Sequence, residues 1–563
     1  MHNTSSVIGR LLARIDGAYV IFGLALLIGL TLRLYGIGWD LPDSNHPNHS
    51  YHPDEALHFL AAQMLASGQM IAKHFMYGGT LYYTLLNTYV FFAGHLGEAL
   101  GGFNRLANAI LVGRYFQVGI ALLTILVVYE CGRAYFGKTT GALAALILAI
   151  APLHIVFAQQ VRPDEMSALF PVLVILICSK LLSGAKRHRY RYYVYGGIAI
   201  GVATALRFPL IVLFLAPVTA HLLVSMTGHT KSEVFGALRN PRLAVMGLST
   251  VFGYLLASPH TLFYPQWFVE GLKIQWHYQS TPFADAVDSG AGVYQYGWLM
   301  LRQALGYPFY FLAVSGVVLA VVRRSRADLV ILAAGVPYFL LVTFASWVVV
   351  RYTLPLLPLL AVLAASAIVR FAEMVSRYRF LIHSLFGVAL ACTLMADYAF
   401  LKVEAGKNVR DVATEWIEQN ARHGSSVLIV KAYPDDDFNN PVIPKNYDQV
   451  TATFYSGGDI PVVVASRSQW QAPLYAVASL FQNFRFDFLV LHEDLYKNME
   501  RLGERHPDKN MWEFFRSLRK SRYKMVTEFK QPMEVFGIDF SGWFTENDYL
   551  FANLGIRIYQ YQD

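Results

Sequence analysis

The chain has 563 residues, 55% of them hydrophobic and only 15% charged, against about 25% charged in soluble proteins. Its apolar runs approach the roughly 20 residues that cross a bilayer as helix, which excludes an ordinary soluble enzyme. The net charge of +8 does not mark a nucleic-acid binder, because the basic residues gather in short loops between apolar runs. Cys131, Cys178 and Cys392 lie in or beside those runs, so no disulfide framework is expected.

The first run, "YVIFGLALLIGLTL", continues into "RLYGIGWD" without a small-residue cleavage site. It reads as an uncleaved span rather than a signal peptide. Eleven spans are predicted, at 17–37, 108–130, 140–157, 166–183, 193–207, 208–226, 244–260, 296–321, 329–349, 353–371 and 381–401. With the N-terminus inside, the inner segments hold clusters such as Lys186, Arg187, Arg189 and Arg191, or Arg323, Arg324 and Arg326. The outer segments hold only scattered cations: Lys73, Arg105, Arg162, Arg207, Lys273 and Arg351. That asymmetry sets the orientation. Residues 193–226 are read as a hairpin turning at Arg207-Phe208-Pro209, because proline interrupts helix. "GTLYYTLLNTYVFFAG", 79–94, is read as a helix lying at the outer membrane surface, its tyrosines suited to the interface.

On this reading a transmembrane module occupies 1–401, with a long outer loop at 38–107 and another at 261–295. Residues 402–563 mix helical patterns with short strands ("SVLIVKAY", "FDFLVLHE", "IRIYQYQ") and form an extracytoplasmic α/β domain. The fold class is a polytopic α-helical membrane protein carrying that domain.

One short motif recurs. "SYHPDEALHF", 50–59, and "VRPDEMSALF", 161–170, both place Pro-Asp-Glu where an apolar stretch begins on the outer side. Pro53 and Pro163 suit the first turn of a helix, and the acidic pairs suit its positive dipole end. Capping at the membrane rim is the plain reading. Asp54 has a second one, because its helix follows a histidine-rich loop (His46, His49, His52) and a partly dried carboxylate serves as general base. His58 lies on the same helical face as Asp54. The Asp-x-x-x-His pair offers two ligands to a divalent metal, with a structural histidine as the competing reading; no cofactor is otherwise required.

Arg207 and Arg351 both sit at outer ends of spans, where snorkelling alone would explain them. Two arginines on the face that carries two acidic motifs also suit an anionic phosphate, which a guanidinium grips with two hydrogen bonds. A sugar joined to lipid through phosphate already carries a good leaving group. It needs cations for the departing phosphate and one carboxylate to deprotonate the incoming nucleophile, unlike glycoside hydrolysis with its two carboxylates.

These residues resemble a family: membrane glycosyltransferases of the C-type fold that use polyprenyl-phosphate sugars, nearest the protein O-mannosyltransferases and the lipid A aminoarabinose transferase. The resemblance rests on "HPDEALHF", "GRAYFGKTTGALAALILAIAPLHIVFAQQVRPDE", "GVATALRFPLIVLF", "SPHTLFYPQWFVEGLKIQWHY" and "RYTLPLLPLLAVLAA", in order across 17–371. The resemblance implies inverting sugar transfer to a glycolipid, glycan or protein acceptor. It implies catalytic Asp54 with Glu55 beside it, and donor-phosphate contacts from Arg207, Arg351 and Tyr352. Substrate contacts are implied for His52, His58, Arg162, Asp164, Glu165, His277 and Tyr278. The signature Trp-Trp-Asp-Tyr-Gly of oligosaccharyltransferases is absent. The expected location is a prokaryotic plasma membrane with the N-terminus cytoplasmic. The partners are the lipid-linked donor, membrane lipids and the acceptor, with no nucleic acid. A lipid-linked sugar transporter or flippase is the rival class, since the repeated motif could mark an internal repeat. Asn48-His49-Ser50 fits a glycosylation acceptor, and Gly197 and Gly201 suit close helix packing.

Overall fold

A computed structural model describes residues 16–42, 50–68, 79–99, 105–183, 189–225, 231–280, 292–346, 348–431, 439–454, 462–466, 471–474 and 480–562. His46, Asn48, His49 and Lys73, and the side chain of Tyr278, lie outside what is described.

Every predicted span coincides with helix. The bundle runs α1 (Gly17–Leu34), α2 (Pro53–Ala66), α3 (Gly79–Ala99), α4 (Arg105–Phe136), α5 (Lys138–Ala149), α6 (Pro152–Ala158), α7 (Asp164–Leu182) and α8 (Arg189–Leu206). It continues through a 3₁₀ turn at Phe208–Phe214 into α9 (Leu215–Ser225), then α10 (Pro241–Ala257) and α11 (Pro265–Ser280). Next come α12 (Tyr307–Arg323), α13 (Arg326–Thr343), a 3₁₀ turn at Val350–Leu356, α14 (Leu357–Met374) and α15 (Arg379–Glu404). Among the described residues seven helices are long and apolar enough to cross a membrane, or eight counting the bent α5–α6 pair. The chain is a multi-pass membrane protein.

Three local features refine the expectation. The span at 140–157 bends by 63° between α5 and α6, where Pro152 opens the second helix. The span at 296–321 is broken: Gly306 adopts φ 79°, and Tyr307-Pro308 starts α12 afresh. Only glycine accepts that backbone without strain, and proline at the first turn prefers to begin a helix. The hairpin at 193–226 is present, since the Tyr193 hydroxyl near the start of α8 meets His221 Nδ1 near the end of α9 at 2.5 Å. Arg207 itself is extended, φ −151°.

Small residues let helices touch. A Cβ on Gly197 would lie 2.5 Å from the Met246 carbonyl oxygen, and one on Gly253 would lie 2.5 Å from that of Ile198. The α8–α10 crossing is therefore backbone against backbone, as the small-residue pattern implies.

Beyond α15, α16 (Val409–Asn420) leads into strands β1 (Ser426–Lys431), β2 (Asp448–Thr453), β3 (Val462–Ser466), β4 (Gln471–Leu474), β5 (Phe488–His492), β6 (Tyr523–Phe529), the short pair β7 (Glu534–Val535) and β8 (Ile538–Asp539), and β9 (Ile556–Tyr561). Among the described residues seven of them form one sheet of order β4-β3-β2-β1-β5-β9-β6. Its centre is β1 (Ser426–Lys431) and β5 (Phe488–His492), which pair in parallel. Both are almost wholly buried, as strands covered on two faces must be. The helix Lys509–Lys520 lays Met511, Phe514, Phe515 and Leu518 on the sheet, an apolar stripe at helical spacing. This α/β region is tied to the bundle by hydrogen bonds from Asn408 Nδ2 to Asp40 Oδ2 (2.6 Å), the Tyr51 hydroxyl to Asp411 Oδ1 (2.8 Å) and the Tyr549 hydroxyl to the Gln303 carbonyl (3.1 Å).

Candidate active site

The two Pro-Asp-Glu motifs are brought together, as the start of α2 packs beside the start of α7. His52 caps α2: its Nδ1 accepts the Asp54 N–H at 3.2 Å, with Pro53 in the first turn. Successive residues at a helix start are rotated by about 100°, so the neighbours Asp54 and Glu55 face different surroundings.

Glu55 turns inward and is fully buried. Its carboxylate accepts Arg114 Nε at 2.9 Å and Arg114 Nη2 at 2.8 Å, the Val161 N–H at 3.0 Å and the Ser50 hydroxyl at 2.9 Å. Burial pushes this carboxyl up, but the Arg114 charge and its hydrogen bonds outweigh that, so it lies below the usual range. Every lone-pair direction is occupied, which leaves nothing for a substrate proton.

Asp54 remains 34% exposed. Its Oδ2 lies 2.9 Å from Arg162 Nη2. Burial pushes its carboxyl up, and is overcome by Arg162, His52, Arg351 and His58, which hold it far below the ordinary carboxylate range. Arg162 also reaches Asp164 Oδ2 (Nε, 3.3 Å) and Asp548 Oδ1 (Nη1, 3.6 Å). Asp164 pairs with Arg207 as well, and Arg207 lies 4.8 Å over the Tyr352 ring. Arg351 closes the group, with Nη1 3.0 Å from Asp548 Oδ1 and its own N–H 3.2 Å from Asp548 Oδ2. Three guanidiniums thus interleave with three carboxylates, and Asp54 is the most exposed of the six.

The remaining predicted residues divide. His52 is buried, with its ring 4.9 Å from that of Phe551. Burial and Arg162 hold its imidazole down at about 4. His58 Nδ1 lies 3.1 Å from the Tyr83 hydroxyl, and burial lowers it to about 4 as well. Glu165, expected on the substrate side, instead points into the bundle: it is fully buried with Oε1 3.0 Å from His154 Nε2. His277 is exposed on α11, unlike the cluster members.

A divalent metal at Asp54 and His58 does not fit this donor set. A guanidinium already lies against Asp54, and His58 is neutral but engaged by Tyr83. Among the described residues no three His, Cys, Asp or Glu side chains gather as a metal site.

Two residues went unread in the sequence. Arg114 was legible in principle, as a lone charge inside the apolar run "ILVGRYFQVGIALL", and such a charge marks a buried partner. Asp548 carried no such signal, since it lies in a polar stretch far along the chain.

This architecture is the glycosyltransferase C-type fold of multi-pass membrane proteins. Residues 99–251 match the family model described as dolichyl-phosphate-mannose-protein mannosyltransferase. The fold is shared with the oligosaccharyltransferase of Archaeoglobus fulgidus in its apo form: TM-score 0.51, 12% identity, 93% of this chain and 75% of that one. It is shared too with ArnT from Cupriavidus metallidurans bound to undecaprenyl phosphate: TM-score 0.50, 16% identity, 77% of this chain and 92% of that one. Against the zinc and sulfate complex of the archaeal enzyme, the chain spans 62% of that chain's length. No curated protein matches the chain by sequence. The family resemblance read from the motifs is borne out at the level of fold and family match.

Proposed function

We propose that the protein transfers a hexose or pentose, with inversion, from a polyprenyl-phosphate donor to a glycolipid, glycan or protein acceptor. The observation that carries this is Asp54: the one carboxylate of the arginine–aspartate cluster with a third of its side chain open. The mannosyltransferase family match and the fold shared with ArnT, whose structure holds undecaprenyl phosphate, support the donor class.

In this reading the acceptor's hydroxyl or amine gives its proton to an Asp54 oxygen. Its freed electron pair bonds the anomeric carbon from the side opposite phosphate. The carbon–oxygen bond to phosphate breaks, and that pair leaves on the phosphate oxygen, where Arg207 and Arg351 neutralise it. Tyr352 steadies the Arg207 guanidinium, which lies 4.8 Å over its ring. Arg162 keeps Asp54 ionised but weakens it as a base. A donor phosphate that draws on Arg162 restores basicity when substrate is present. Glu55 and His52 act as positioning residues. The charge asymmetry of the loops supports an N-terminus in the cytoplasm, with this face and the α/β region outside a prokaryotic plasma membrane. No feature of the fold supports the transporter alternative.

The test is a panel of radiolabelled polyprenyl-phosphate sugars offered to purified protein in native membrane extract. Label moving from one donor into a new product supports the reading and names the sugar. Label staying with every donor removes it.

A further inference from the structure

We propose that Asp548, supplied by the α/β region, is an internal competitor of the donor phosphate for Arg351 and Arg162, and so sets how tightly the site holds phosphate. The inference rests on the transferase reading above. Asp548 is buried, with 3% of its side chain exposed. Its Oδ1 takes Arg351 Nη1 at 3.0 Å with Arg162 Nη1 at 3.6 Å, and its Oδ2 takes the Arg351 N–H at 3.2 Å. Guanidinium plus backbone N–H is the grip proteins use on phosphate oxygens. The carboxylate therefore occupies a phosphate-shaped seat.

Charge gives the reason. Arg162, Arg207 and Arg351 are balanced by Asp54, Asp164 and Asp548, so the cluster has no cation to spare. A phosphate gains full benefit only where a carboxylate yields. Asp54 is needed as base. Asp164 begins the membrane helix α7 and is shared by Arg162 and Arg207. Asp548 sits on the four-residue helix Asn547–Leu550, within a region joined to the bundle by hydrogen bonds. Its withdrawal disturbs the contacts of Phe544 and Tyr549 with Phe400 of α15, but moves no carboxylate of a membrane helix. After transfer the leaving monophosphate carries more negative charge than the diester donor. An anion poised to retake Arg351 then speeds its release.

The experiment measures binding of a long-chain polyprenyl monophosphate to the full-length protein in nanodiscs. Asp548→Asn keeps the acceptor oxygen for the Arg351 N–H and removes the charge. It should bind at least about tenfold tighter, with an upper bound near 10³-fold, the scale of one like charge removed from about 4 Å away at an effective dielectric of roughly 20. Asp548→Glu restores the charge and should bind as wild type does. Tyr549→Phe loosens the same attachment by losing the bond to Gln303 without changing charge, and should bind somewhat tighter than wild type but by less than Asp548→Asn does. Equal or weaker binding by Asp548→Asn, or weaker binding by Tyr549→Phe than by wild type, overturns the inference while leaving the transferase reading intact. In the wild type itself, added polyprenyl phosphate should speed amide exchange over residues 544–552; unchanged or slower exchange there also overturns it. Should wild type bind no polyprenyl phosphate, the transferase reading falls first and the inference with it.

Discussion

Glu55 and Arg114 form a two-pronged ion pair, 2.9 and 2.8 Å, with neither side chain exposed to solvent. One residue earlier, Asp54 stands at the open edge of the site. Adjacent carboxylates thus have opposite surroundings, one buried against Arg114 and one at the open edge of the cluster. Removing one partner of a buried pair strands the other charge, at a cost of about 3–5 kcal/mol. Glu55→Gln and Arg114→Ala should therefore sharply lower the thermal midpoint in detergent, whereas Asp54→Asn should leave it near wild type. Equal destabilisation by all three would show that Asp54 is structural too.

Arg207 pairs with Asp164 and stacks on Tyr352. Lysine keeps the charge but neither the fork nor the stack. Arg207→Ala should lower transfer by about 10²–10³, the usual loss for one preorganised charge-stabilising donor. Arg207→Lys should recover part of that rate with a raised donor KM. Steady-state kinetics over donor concentration separates the two; full activity of the lysine variant would argue for a point charge alone.

Acid should weaken the fold through His52. Its folded value of about 4 lies below the ordinary 6.5, because burial first and Arg162 second oppose its charged form. The unfolded chain therefore binds the extra proton between about pH 6.5 and 4, and stability falls as pH drops through that window. For a fully buried ring this amounts to about 3 kcal/mol. His52→Asn should flatten the pH dependence of the thermal midpoint there, and an unchanged slope would place the titration elsewhere.

Without substrate Asp54 titrates lower still, so the acid limb of kcat/KM, which reports the free enzyme, should not appear in the ordinary carboxylate range. Arg162→Gln removes the main charge holding Asp54 down, and the acid limb should move to higher pH. A pH–rate profile unmoved by that substitution would contradict the coupling.

Gly197 faces the Met246 carbonyl. Gly197→Ile forces α8 from α10 and should destabilise by about 1–3 kcal/mol or more, read as lost folded protein in size-exclusion chromatography. Wild-type yield would show that the crossing yields easily.

Much of the bundle was legible because apolar length and loop charge are local signals. The hairpin at Arg207 followed from the loop charge pattern together with Pro209. The site was half legible. Asp54, Asp164, Arg207 and Arg351 were expected on one face because each stands at or near the end of an apolar run, and their side chains lie in one cluster. The split between Asp54 and Glu55 was not readable, since it depends on how far α2 is rotated when it packs on α4. Asp548 was hidden for a different reason: its partner Arg351 lies 197 residues earlier, and only the docking of the α/β region joins them. The break at Gly306 was passed over because the apolar residues around Arg302-Gln303 and Gly306-Tyr307-Pro308 are long enough to read as one span.

Proton transfer from the acceptor to Asp54 is tested by the transfer rate of Asp54→Asn against wild type, with the donor found by the panel and with donor binding measured in parallel. Donor binding should be retained and transfer lowered by at least about 10², the range of a lost general base. Transfer at the wild-type rate by a variant that binds donor normally would contradict it.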